Sequence, residues 1–134
     1  RGDTPVIADT ALTDADLASK NLILWGDPTS NKVLAKLLAT GKLPLTWDAK
    51  SLTFRGQTYP SANHAPILIF PNPLNPARYI VLNSGIDFRT EGYGNNAHQT
   101  PKLPDWAVVD LRTPPGPRWP GKIVNAGFFD EEWK

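Results

Sequence analysis

The sequence predicts a three-layer α/β domain built on a mixed, mainly central sheet. Three observations carry that expectation. Short apolar runs without alternation, Leu22-Ile-Leu-Trp25 first among them, read as strands covered on both faces. Between some of them, apolar residues recur at helical spacing, as in Val33, Leu34, Leu37 and Leu38. Two strong runs, Ile67–Phe70 and Tyr79–Leu82, are joined by the proline-rich Pro71–Pro76, which suits an antiparallel hairpin and makes the sheet mixed.

In chain order, residues 1–12 read as a linker or an edge segment, and residues 13–134 as a single domain. A helix is expected near 13–20, where Thr13 is placed to cap and Asp14 and Asp16 stand in the first turn. A strand follows near 22–26 and a helix near 30–40, with Gly41 where a terminating glycine belongs and Pro44 beyond it. A small hairpin near 45–59 comes next, then strands near 67–70 and 79–83. Residues 87–98 form a further candidate helix, which Gly92 and Gly94 each weaken by roughly 1 kcal/mol relative to Ala. Strands near 106–110 and 122–126 complete the sheet, separated by a proline-rich stretch from Thr113 to Gly121.

Composition narrows the class. The 134 residues, 40% apolar and 20% charged, suffice for one domain with a real core. Fourteen prolines and ten glycines imply many turns. Fourteen basic against thirteen acidic residues leave a net charge of +1 and no basic stripe, so nucleic acid is not an expected partner. No apolar run is long enough for a membrane span, and the lack of cysteine removes disulfides and thiolate metal sites. Absence of Met, with Arg1-Gly2-Asp3 at the start, reads as the edge of a domain excised from a longer protein.

The most informative stretch is the turn Gly26-Asp-Pro-Thr-Ser-Asn31 between strand and helix. Asp27 as cap, Pro28 at the first helical position, and polar contacts from Ser30 and Asn31 explain it without any ligand. The functional reading is an anion or substrate-carboxylate site on the helix N–H groups. Pro28 stands where a lipase-like block would need its nucleophile. Gly92-Tyr-Gly-Asn-Asn-Ala97 matches a degenerate dinucleotide pattern, but it follows no strand, and Pro101 and Pro104 forbid the helix it needs. No Ser lies in G-x-S-x-G or S-x-x-K. Ser84, before Gly85 at a strand end, is the only Ser placed like a nucleophile elbow, with His64 and His98 the only imidazole bases. The histidines lie too far apart to suggest a metal site, Asp130-Glu131-Glu132 reads as a solvated turn, and no cofactor is called for. Of the five tryptophans, Trp25 and Trp106 sit in apolar strands and are expected in the core, while Trp119 and Trp133 are the candidates for a sugar-binding surface.

Four segments together carry a resemblance. Asn21–Asn31, Phe70-Pro-Asn-Pro-Leu-Asn-Pro-Ala-Arg-Tyr-Ile-Val-Leu-Asn-Ser-Gly85 and Gln99–Asp110, with the closing Gly127-Phe-Phe-Asp-Glu-Glu-Trp133, resemble the C-terminal tail domain of large secreted bacterial hydrolases of the prolyl-oligopeptidase-like or esterase-like α/β-hydrolase type. The resemblance implies an upstream hydrolase domain of the same chain as partner, a secreted or periplasmic location, and catalytic residues that lie outside this sequence. The expected role is therefore a non-catalytic accessory domain, serving interdomain packing or substrate presentation. A carbohydrate or cell-envelope binding module using Trp119 and Trp133 is the alternative, and a small independent serine hydrolase on Ser84 with His64 or His98 the last. The candidate ligand-binding residues are Asp27, Thr29, Ser30, Asn31, Asn83 and Ser84.

Overall fold

A computed structural model describes residues 4–84, 104–114 and 121–134. It is mostly β. Eight strands among the described residues form a five-stranded mixed sheet and a three-stranded sheet, accompanied by two short helices. The expected three-layer α/β architecture is therefore not what this chain adopts. The large sheet has the order β1-β6-β5-β7-β8, with β1 Leu22–Leu24, β5 His64–Asn72, β6 Asn75–Leu82, β7 Trp106–Asp110 and β8 Lys122–Gly127. Only β1 and β6 run parallel; the other neighbours are antiparallel.

The small sheet shares one core with the two helices and the large sheet. β2 Leu45–Trp47, β3 Ser51–Phe54 and β4 Gln57–Pro60 form an antiparallel meander over the span expected for the small hairpin. Asp48 Oδ1 takes the amides of Lys50 and Ser51 at the first turn, and Arg55-Gly56 makes the second with both residues at positive φ. Alternation sends Leu45, Trp47, Leu52 and Phe54 inward, where they join Leu68, Ile80, Leu82, Trp106 and Val108 of the large sheet in one core. Phe54 and Trp106 stack with ring centroids 4.6 Å apart, and the Arg55 guanidinium lies 5.6 Å over Trp106 and 5.5 Å over Phe129.

Both helices supply side chains to the same core. α1, Asp14–Ser19, is opened by a capping box of Thr13 and Asp16 and contributes Leu17. α2, Lys32–Ala39, contributes Val33, Leu34 and Leu37, then stops at Gly41, whose φ of +65° is the left-handed turn expected there. The candidate helix at 87–98 lies outside the described residues.

The other side of the large sheet departs further from expectation. β1 is not covered on both faces: Leu22 and Leu24 are buried, whereas Ile23 is 56% and Trp25 53% exposed. Trp106 is a core residue as expected, and Trp25 is not. β1 lies at the edge of the sheet, and its outward residues have no layer of described residues above them comparable to the one that covers Leu22 and Leu24.

Candidate functional site

The turn after β1 satisfies its own polar groups. Asp27 Oδ1 accepts the amides of Thr29 at 2.8 Å and Ser30 at 2.9 Å, and the hydroxyls of Thr29 at 2.6 Å and Ser30 at 3.1 Å. These bonds, the Thr29 hydroxyl first, hold the Asp27 carboxyl below its ordinary range and keep it ionised. Gly26 is required here, because its φ is +93° and a Cβ would stand 2.6 Å from Ser30 Oγ.

The residue that caps α2 is Asn31, not Asp27. Asn31 Oδ1 accepts from the Leu34 amide at 2.9 Å, and its Nδ2 donates to the Trp25 carbonyl at 2.9 Å. Asp9, in a 3-10 turn at Asp9–Ala11, accepts the Lys32 amide at 2.7 Å. The helix N-terminus, suggested by the sequence as an anion site, thus already holds two side-chain acceptors of this chain.

The six candidate residues divide. The Asn83 amide donates to the Leu24 carbonyl, continuing the parallel β1–β6 pairing past the end of β6. Ser84 follows with φ +48°, and its hydroxyl donates to the Pro66 carbonyl. Asp27, Thr29 and Ser84 meet on a cleft of about 330 Å³ outside the carboxyl ends of β1 and β6. Ser30, Asn31 and Asn83 do not line it. Trp47, Asp48, Ser61 and His64 do. Proximity of the small sheet to the β1 turn is a tertiary fact that no local pattern of the sequence marks. A second cleft of about 440 Å³ shares the Pro28, Thr29, Trp47 and Asp48 wall and continues toward Leu38 of α2.

His64 opens β5 and is only 7% exposed. Its Nδ1 faces the Pro60 carbonyl at 3.1 Å, which makes that nitrogen the donor. Directly across the β5–β7 ladder stands Asp110, a buried carboxylate that Arg112 grips through Nε and the terminal nitrogen. That grip holds the Asp110 carboxyl far below its usual range.

Ser84 and His64 share a wall of the cleft, but the described contacts do not assemble a catalytic relay. The Ser84 proton goes to a carbonyl, and Asp110 is bound by Arg112. His98 lies outside the described residues, as does Trp119. Trp133 is half-buried, packed with Phe70, Phe129 and Tyr79 at centroid distances of 5.9, 5.9 and 5.5 Å. Among the described residues no three His, Cys, Asp or Glu side chains gather as a metal site, and no helix is long and apolar enough to cross a membrane. Comparison with protein-family models, with curated proteins and with solved structures gives no match for this chain.

Proposed function

We propose that this domain is a non-catalytic accessory module that packs against the hydrolase domain of a secreted peptidase or esterase. The observation that carries the reading is a row of apolar side chains on the outward side of the large sheet. Ile23, Val81 and Ile69 stand in register across β1, β6 and β5, with Trp25 one step beyond Ile23 on the same side. Ile23, Trp25 and Ile69 are all exposed. A sheet that meets water on one face carries polar residues there; an apolar row is the mark of a surface that another body covers. The resemblance of the sequence supplies the identity of that body. The spent Ser84 hydroxyl and the Arg112-bound Asp110 support a role without chemistry in this domain.

The test compares this domain with the full-length hydrolase carrying it, using chromogenic ester and prolyl-peptide substrates. Activity confined to the full-length protein is expected. Ile23→Ser combined with Trp25→Ser should leave the isolated domain folded and loosen its docking in the longer protein, seen as faster interdomain proteolysis. Unchanged proteolysis would remove the packing role. Hydrolysis by the isolated domain, lost on Ser84→Ala, would replace the reading with a small hydrolase.

A further inference from the structure

The large sheet ends in two edges of different kinds. At β8 the edge is guarded: its pairing with β7 is bulged between Val108 and Val109, and Lys122 stands on it. At β1 no such guard is present. The Leu24 carbonyl takes the Asn83 amide at 2.9 Å, so Leu22 and Leu24 spend their backbone groups on β6. Alternation then turns the N–H and C=O of Asn21, Ile23 and Trp25 to the open side. Among the described residues only one of these groups has a partner, the Trp25 carbonyl, which takes Asn31 Nδ2. No proline and no charged residue lies between Asn21 and Trp25, and the neighbouring Lys20 is held by Asp16 at 2.7 Å.

Beside this edge lies a groove of about 370 Å³. Asn21–Leu24 line one side of it and Thr4–Ala8 the other, with Leu12 and Val33 adding apolar surface. Ala8 is extended, and no backbone bond joins the two sides. Alternating N–H and C=O groups carry alternating partial charge, and their complement is another extended backbone. A side chain satisfies one such group, as Asn31 does; a strand satisfies the whole row at its own spacing. We infer that the groove beside β1 binds an extended peptide segment, which pairs with Asn21, Ile23 and Trp25 and adds a sixth strand to the sheet. Partner residues opposite Leu22 and Leu24 point with them to the core side, and those opposite Ile23 point outward with it. The segment is therefore one with β-branched apolar residues at alternate positions. The inference rests on backbone atoms, and the packing reading on the Ile23 and Trp25 side chains, so each can fail without the other.

The experiment titrates the 134-residue chain with the peptide acetyl-Thr-Val-Thr-Val-Thr-amide, following the backbone amides of Asn21, Ile23 and Trp25 by NMR. Two analogues carry an ester in place of a single amide N–H, at the third residue or at the fourth. In a paired strand one of those N–H groups faces β1 and the other faces away. One ester should weaken binding about tenfold, and the other should leave it unchanged. Ile23→Pro removes the central donor of the edge, while Leu22 and Leu24 keep the ladder to β6. It should lose about tenfold in affinity, with Ile23→Val at the wild-type value as control. No binding of the parent peptide, equal effects of the two esters, or wild-type affinity in Ile23→Pro would overturn the inference. Should Ile23→Pro unfold, the ester pair decides on the unaltered chain. Sedimentation of the chain alone covers the other occupant: a dimer paired through β1 that the peptide cannot dissociate would make a second copy the partner and overturn the inference as well.

Discussion

Asp9 and Lys32 lie 23 positions apart and are joined by a 2.7 Å hydrogen bond from the Lys32 amide to Asp9 Oδ2. The bond fastens the segment before α1 to the first turn of α2. It places a carboxylate where the helix dipole and a free N–H both favour one. Asp9→Ala should cost about 1 kcal/mol, read as a lower urea midpoint with an unchanged slope. An unchanged midpoint would mean that the segment is held by its apolar contacts alone.

Asn31 and Ser30 are neighbours with different duties. Asn31 is buried and ties the Leu34 amide to the Trp25 carbonyl, so Asn31→Ala removes a cap and leaves a carbonyl unpaired, costing about 2 kcal/mol. Ser30 is exposed, and its hydroxyl bonds stay within the Asp27 turn. Ser30→Ala should stay within about 0.5 kcal/mol. Thermal unfolding of the two variants separates the roles, and equal losses would contradict them.

Gly127 passes under the Trp106 indole so closely that a Cβ would stand 2.7 Å from its Cζ2. Trp106 cannot step aside, since Phe54 stacks on it and Arg55 covers it. Gly127→Ala should destabilise by about 2 kcal/mol and alter the near-UV dichroism of the buried tryptophan. A wild-type spectrum and midpoint would show that β8 shifts at no cost.

Acid should unfold the domain through a small set of aspartates. Asp110, gripped by Arg112, and Asp27 and Asp48, each closing a turn, all titrate below the 3.8 of an ordinary Asp when folded. A depressed folded value means stability that is complete above the unfolded value and lost as pH falls through the lower folded ones. Urea midpoints should therefore be level above about pH 5 and decline below about pH 4, with Asp110→Asn flattening the decline. A midpoint still level at lower pH would show that these carboxylates do not stabilise the fold.

What the sequence determined by itself was local. Thr13 with Asp16 opens α1, the 3.6-residue spacing of Val33, Leu34 and Leu37 forms α2, Gly41 ends it, and the apolar runs become strands because these preferences act within a few residues. The β5–β6 hairpin and three residues of the cleft wall, Asp27, Thr29 and Ser84, are also legible from turns at strand ends. Tertiary structure decided the rest. An unalternated apolar strand reads the same whether its outward face is covered or bare, so the sequence points Ile23 and Trp25 to a core that lies only beneath Leu22 and Leu24. Layer count likewise depended on the three-stranded meander folding over Leu68, Leu82 and Trp106, a packing that no window of sequence contains. His64, Trp47 and Asp48 reach the cleft for the same reason: strand pairing and burial join residues far apart in the chain, and local periodicity carries no record of that distance.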